Sequence, residues 1–258
     1  MKKNFNHLVD IIMPNYNKSD YLDKAISSVI KQSHKNWQLY IIDDNSKDLS
    51  RNILKKYIKN KKINIYLLKN NKGPAFCRNI GIKKSSSKWI AFLDSDDFWP
   101  KNKLKSQMNF MLKNKINFSF TDYYSFYQKG QLVKKIGKTN IAKKFNFKSF
   151  IKNSSINTST MIINRKIIQN IKFKNLKKLE DYIFKCEIFK KNKNLEAIKF
   201  KKTFAFYRIL KRARSSEKFK NIYYLWKYNK IFNKLTFGEN LLSLLSISLN
   251  SLRKYGFK

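Results

Sequence analysis

The sequence predicts an α/β protein built on a mostly parallel, doubly wound central sheet flanked by helices. Three observations predict it. Four short apolar runs fall within the first hundred residues, helical patterning separates them, and polar or acidic residues stand where the runs stop.

Residues 8–13 form the first apolar run, stopped by Pro14. Over 21–30, Leu22, Ala25, Ile26, Val29 and Ile30 fall at i, i+3, i+4, i+7 and i+8, the stripe of a helix buried along one face. Residues 37–42 are the next strand, ended by Asp43-Asp44-Asn45-Ser46. A helix is expected over 47–59, then a strand over 63–68. Asn70-Asn71-Lys72-Gly73 turns the chain, and Pro74 suits the first turn of a helix reaching Lys83. Residues 89–93 are the fourth strand, ended by Asp94-Ser95-Asp96-Asp97. On such a sheet, ligands bind beyond the carboxyl ends of the strands. Neither G-x-G-x-x-G nor G-x-x-x-x-G-K-[ST] occurs, so dinucleotide and P-loop readings lose their main support.

The second half is less regular. Residues 117–127 and 158–164 read as strands, and 182–189 sit in a helix that opens at Glu180-Asp181. Residues 197–209 read as extended chain, and helices near 219–235 and 239–252 close the sequence. There is no internal repeat, and no linker long enough to separate independent domains.

Composition bounds the function. The chain has 258 residues and a formal charge of +41, from 57 Lys and Arg against 16 Asp and Glu. Such a charge suggests a nucleic-acid-binding protein. The 42% of hydrophobic residues excludes a disordered basic tail. Only seven of the 57 bases are Arg, which reads phosphates bidentately, and the lysines are scattered through every element. With abundant Asn, Ile and Phe, they read mostly as the product of an A/T-rich coding sequence, with a secondary role near diphosphates or anionic lipid. The two cysteines, Cys77 and Cys186, make no disulfide framework or metal pattern and are expected to pack in helices. Residues 1–7 lack the apolar stretch of a signal peptide, and no run reaches the roughly 18 apolar residues of a membrane span. The expected location is cytoplasmic.

The scarce acids are the informative residues. Asp43, Asp44, Asp94, Asp96 and Asp97 make up half of the ten in residues 1–122, and all stand at predicted strand ends. Taken singly, such clusters have an ordinary use as helix caps, for Asn17–Asp20 and for Asp44-Asn45-Ser46 alike. Their order carries more. P-x-Y-N (14–17), I-I-D-D-N-S (41–46), N-K-G-P-A-x-x-R-N (71–79) and W-I-A-F-L-D-S-D-D (89–97) follow one another, and this series resembles the family 2 glycosyltransferases of GT-A fold. The match is clear over 8–112. Looser landmarks, S-T-M-I-I-N-R (159–165), L-E-D-Y (179–182) and F-Y-R (206–208), extend it to about 216.

The resemblance implies a GT-A domain over 1–216, with a nucleotide-binding half (1–115), an acceptor half (116–216), and amphipathic helices over 217–258. It implies an inverting transferase that takes a sugar from a UDP-sugar to a glycan or lipid-linked acceptor in cell-surface polysaccharide synthesis. Asp44 would accept the uracil imide N–H, with Pro14, Asn15 and Tyr16 lining the base pocket. Lys72 and Gly73 would lead into the helix carrying Arg78, which would reach the uracil edge or the diphosphate. Asp94, Ser95 and Asp96 would serve the donor, Asp96 as the better ligand of Mn²⁺ or Mg²⁺ and Asp94 nearer the ribose or sugar. Asp97 would cap the helix beginning near Lys101 or bind metal through a water. Asp181 would be the general base, kept ionised by the helix dipole, with Glu180 as its understudy. Arg208, Arg212, Arg214 and Lys218 would form either a lid over the diphosphate or an exposed basic loop.

Two further readings belong to other classes: a basic nucleic-acid-binding protein without activity, and a pyrophosphorylase-type enzyme. The paired Glu180-Asp181 and the missing glycine-rich start argue against the second. The closing helices carry an aromatic stripe (Phe219, Ile222, Tyr223, Trp226) and a leucine face (Leu241, Leu242, Leu245, Leu249, Leu252). Such faces either lie peripherally on an anionic membrane or, more ordinarily, cover the sheet or pair subunits.

Overall fold

The first strand, β1 (Val9–Asn15), is buried along nearly its whole length because both its faces are covered, as its nearly unbroken apolar sequence requires. In this computed structural model, which describes residues 7–129, 132–138, 142–209 and 218–255, β1 has parallel neighbours on both sides. They are β2 (Trp37–Asp43) and β4 (Trp89–Phe92); β3 (Ile63–Leu67) extends the parallel set beyond β2. The crossovers are α1 (Ser19–Ile30), α2 (Ser50–Lys55) and α3 (Pro74–Lys84). Pro14 does not stop β1: β4 ceases to pair beyond Ile12, so the missing N–H of Pro14 interrupts no ladder on that side.

The helix α1 buries the expected stripe, Leu22, Ala25, Ile26 and Val29. α3 lies so close to the sheet that a Cβ on Gly81 would stand 2.5 Å from Ile12 Cγ2. α2 is shorter than expected and continues into hydrogen-bonded turns.

The second half follows as α4 (Lys103–Lys113), β5 (Phe118–Lys129), β6 (Leu132–Lys138), β7 (Lys144–Phe145), α5 (Phe147–Phe150), β8 (Ile162–Asn164), α6 (Glu180–Lys191) and β9 (Ala197–Arg208). One sheet runs through both halves in the order β3-β2-β1-β4-β8-β5-β9-β7, with β6 on β5. The mostly parallel expectation holds for the first four strands. Beyond β4 the sheet is mixed, because β8 enters antiparallel to both β4 and β5 while β9 runs parallel to β5.

Residues 158–164 are not one strand. The Asn157 side chain accepts from Ser159 N (2.8 Å), winding Thr158–Thr160 into a 3-10 turn ahead of β8. Arg165, at the end of β8, ties the halves together. It donates to buried Asp10 (3.3 Å) and to Ser87 O (2.7 Å), and Asp10 also accepts Ser86 N and Ser87 N at 2.9 and 2.6 Å.

The chain closes with α7 (Lys218–Tyr228), a π-helical turn (Asn229–Asn233) and α8 (Phe237–Tyr255). The expected helix over 219–235 is therefore interrupted, ending at Lys234 in the left-handed region (φ 54°).

Candidate active site

The strand ends converge as a parallel sheet demands. Pro14, Asn15 and Tyr16 at the end of β1, Asp44 after β2, and Asp94, Ser95 and Asp96 after β4 line one cavity of about 740 Å³. Gly73 and Arg78 from α3, Glu180 and Asp181 from α6, and Arg208 from β9 line it too. Lys72 does not: its side chain is exposed, and its backbone N–H is what it contributes.

The adjacent acids of the second strand end divide their work. Asp43 is buried and structural, accepting from Asn15 Nδ2 (2.9 Å), Ser46 N (3.1 Å) and Arg51 Nε (2.9 Å). Asp44 faces the cavity, and its two oxygens accept the N–H groups of Lys72 (2.7 Å) and Gly73 (2.8 Å). Gly73 stands at φ 88°, the left-handed region that glycine enters without steric cost, which lets both N–H groups point at one carboxylate. Each carboxylate oxygen keeps acceptor capacity for a further donor. Neither cluster caps a neighbouring helix. The α1 N-terminus is served instead by Asp48, which accepts Ser19 N at 2.8 Å.

Arg78, expected to reach the uracil edge or the diphosphate, lines the cavity and is buried, with Nη2 on Asp94 (2.7 Å) and Nη1 on Glu180 (3.4 Å). Burial disfavours the charged guanidinium, but the two carboxylates outweigh it and raise its pKa. It therefore joins the carboxylate beyond β4 to the one that opens α6. Lys18, which the sequence reading did not single out, lines the same cavity and puts Nζ 2.8 Å from Asp96 Oδ2.

Asp181 is the second residue of α6, whose N-cap, Leu179, stands in the left-handed region (φ 59°), a strained setting for a bulky residue. Burial alone would raise its carboxyl. Lys185 Nζ at 2.7 Å, together with Arg78 and the Thr158 hydroxyl, reverses this and holds it at about 2. Lys185, one turn along the helix, is thus the chief counter-charge, and Asp181 also stands in the first turn of the helix, where the dipole favours a carboxylate.

Asp97 is not a helix cap. It is buried, accepting Ser159 Oγ (2.6 Å) and Arg208 N (2.9 Å), while α4 starts at Lys103 with no side-chain cap. Burial, with the Asp96 and Asp94 charges, pushes its carboxyl well above the usual range. Arg208 donates from Nε to Asp96 O (3.0 Å) and stacks over Tyr21 and Phe126, so it braces the Asp96 loop. Arg212 and Arg214, and the Lys218 side chain, lie outside the described residues.

Among the described residues, no group of three or more His, Cys, Asp or Glu is placed to hold a metal ion. Asp94 and Asp96 nonetheless fit a hard divalent cation of the kind held by one or two carboxylates and completed by phosphate oxygens and water. Both already attract a cationic group, Arg78 and Lys18 respectively.

The family model "Glycosyl transferase family 2" matches residues 10–172. The chain belongs to the family 2 glycosyltransferases. A curated relative of this glycosyltransferase is WfgD of Escherichia coli, the UDP-Glc:alpha-D-GlcNAc-diphosphoundecaprenol beta-1,3-glucosyltransferase. It is 37% identical over 222 residues, covering 85% of this chain and 84% of WfgD. Among solved structures, Staphylococcus aureus TarS 1–349 in complex with UDP-GlcNAc matches with a TM-score of 0.70 at 18% identity, over 95% of this chain and 72% of that one. The mannosyltransferase PcManGT of Pyrobaculum calidifontis, in complex with GDP-Man and Mn²⁺, matches at 0.67 and 11% identity, over 97% and 76%. These two likenesses establish the GT-A fold of the glycosyltransferase, including its helical C-terminal part. Nothing in the comparisons supports the nucleic-acid alternative.

Proposed function

We propose that this glycosyltransferase moves a sugar from a UDP-sugar to a hydroxyl of a glycan or lipid-linked acceptor in cell-surface polysaccharide synthesis, with inversion at the anomeric carbon. One observation carries the reading: Asp44, Asp94 and Asp96 beyond the ends of β2 and β4 line the same cavity as the Glu180-Asp181 pair. WfgD, whose acceptor is diphosphoundecaprenol-linked GlcNAc, supports the acceptor class.

Residues 1–115 would bind the donor and 116–216 the acceptor. Pro14, Asn15 and Tyr16 hold the base, and Asp44, fixed by Lys72 N and Gly73 N, accepts its imide N–H. Asp94 and Asp96 are the residues that would hold Mn²⁺ or Mg²⁺, which when bound supplies positive charge to the departing diphosphate. Lys18 offers a second positive charge on the same side. Arg78 sets the spacing between Asp94 and Glu180. Asp181 takes the proton of the acceptor oxygen as that oxygen attacks the anomeric carbon, and the bond to the diphosphate breaks as the new one forms. A single displacement of this kind inverts the centre.

Calorimetry with UDP and release of UDP from a panel of UDP-hexoses test the reading. Wild type is expected to bind UDP at micromolar concentrations. Asp96→Asn is expected to lower turnover by about a hundredfold or more, the scale of a lost charge-stabilising contact, without lowering the melting temperature. No UDP binding by wild type, or unchanged turnover in Asp96→Asn, would sink it.

A further inference from the structure

The last helix is packed inside out. Toward the body of the protein α8 presents Asn240 and Ser243, 2% and 0% exposed, alongside the partly buried Leu244 and Ile247. The two polar residues are anchored there: Asn240 Nδ2 donates to Trp226 O (3.0 Å), Asn229 Nδ2 donates to Asn240 Oδ1 (3.1 Å), and Ser243 Oγ donates to Ile151 O (2.6 Å). Outward, the same helix shows Leu241, Leu242, Leu245 and Leu249, 43–55% exposed, and Phe237 at 73%. Phe237, Leu241, Leu245 and Leu249 recur every four residues and so form one continuous stripe. The helix cannot turn the stripe inward without tearing Asn240 and Ser243 from their partners. The packing thus holds the apolar face toward solvent.

We propose that this face is a docking surface for an anionic lipid bilayer, on which the helix lies in the plane of the interface. Charge decides the occupant. Residues 235–252 are the longest stretch of the chain without Lys or Arg, and Glu239 is their one charged residue, although 57 of 258 residues are basic. Lys230 and Lys234 precede the stretch and Arg253 and Lys254 follow it. An uncharged apolar stripe bracketed by cations suits an interfacial helix whose leucines enter the acyl boundary while the flanking bases meet lipid phosphates. A second copy suits it less well. Two chains of +41 repel, and five half-exposed side chains offer on the order of 500 Å², short of the roughly 800 Å² per partner of a stable interface. The helix does not cross the bilayer: among the described residues no helix is long and apolar enough to span one. The inference deepens the reading of a lipid-linked acceptor, since a surface-bound enzyme meets such an acceptor where it lies.

The test is sedimentation of the full chain with vesicles of phosphatidylglycerol and phosphatidylcholine in about a 3:7 ratio, free of donor and acceptor. The salt is raised to about 0.5 M so that the Debye length falls to about 4 Å and attraction by scattered lysines is screened. Wild type is expected to remain bound. The variant Leu241→Ser/Leu245→Ser/Leu249→Ser, which keeps every charge, is expected to bind at least about tenfold more weakly while binding UDP as before. A second measurement places a polarity-sensitive dye at Leu245→Cys. Native Cys77 and Cys186 are buried and their thiols pushed upward, Cys186 to about 12, so the dye goes to the new site. Blue-shifted emission on vesicles is expected. Equal vesicle binding by the serine variant, or no spectral shift, overturns the proposal. So does a wild-type dimer at low micromolar concentration that the serine variant splits with vesicle binding intact. Because no sugar is transferred in these assays, failure here leaves the glycosyltransferase reading standing, and loss of UDP binding in wild type would fail that reading alone.

Discussion

Replacing Lys185 by methionine should expose the proton chemistry of the acceptor side. In the native protein its ammonium lies 2.7 Å from Asp181 Oδ2 and leads the interactions that hold this carboxyl at about 2. The sign follows from the causes. Burial raises the carboxyl and Lys185 lowers it, so removing Lys185 leaves burial opposed only by Arg78 and the Thr158 hydroxyl. Without its ion pair the carboxyl rises above its native value of about 2. At pH 5 the variant therefore has a smaller ionised fraction of Asp181 than wild type, which is ionised there almost completely. The assay is kcat/KM for UDP release between pH 4.5 and 8, normalised at pH 7.5. Wild type should show no acid limb from this group in that range. Lys185→Met should show one, with activity falling as the pH is lowered toward 4.5. Lys185 Nζ also donates to Ile156 O at 2.8 Å, so the variant should lose about 1–3 kcal/mol of stability. Lys185→Gln, which can keep that hydrogen bond but not the charge, separates the two effects and should share the pH shift. An unchanged acid limb in both folded variants would refute Asp181 as the base or Lys185 as the group that keeps it ionised.

Arg78→Met should leave Asp94 and Glu180 without their shared cation, costing about 3–5 kcal/mol in a denaturant titration and weakening UDP binding; a shift below 1 kcal/mol would contradict its bridging role. Gly81→Ala puts a methyl 2.5 Å from Ile12 Cγ2, so despite its better helix propensity it should lower stability by about 1–2 kcal/mol; a rise in melting temperature would show that α3 moves freely off the sheet. Arg165→Met strips the buried Asp10 carboxylate of its ion-pair partner and frees Ser87 O, so a loss of about 3 kcal/mol is expected with UDP affinity unchanged in the folded fraction.

How much of the site was legible depended on where its chemistry was written. Asp44, Asp94, Asp96 and Asp181 stand out because each follows a recognisable strand run or opens a helix, in a chain with few acids. The four parallel strands were legible for the same reason, since strands buried on both faces read as unbroken apolar runs. The short elements were not. β7 has two residues and α5 is one turn held by the Asn146–Ser149 capping box, too brief for any periodicity. Lys18 gives no signal beside forty-nine other lysines, although it meets Asp96. Lys185 was readable as the i+4 partner of Asp181, a spacing that pairs charges on any helix. Asp97 was misread because its partners, Ser159 and Arg208, lie 62 and 111 residues away.

The sequence by itself determined the sheet's parallel half, the ends at which acids gather, and the family, because apolar periodicity and motif order are local properties of the chain. Tertiary structure alone decided how the distant charges pair: that Arg78 spans Asp94 and Glu180, and that Asp97 holds Ser159. It also decided that Leu241, Leu242, Leu245 and Leu249 of α8 face outward while Asn240 and Ser243 face in. The pattern of α8 marks a helix with an apolar side. Which side meets the protein depends on the hydrogen-bond partners waiting there, Asn229, Trp226 O and Ile151 O, and no local pattern encodes those.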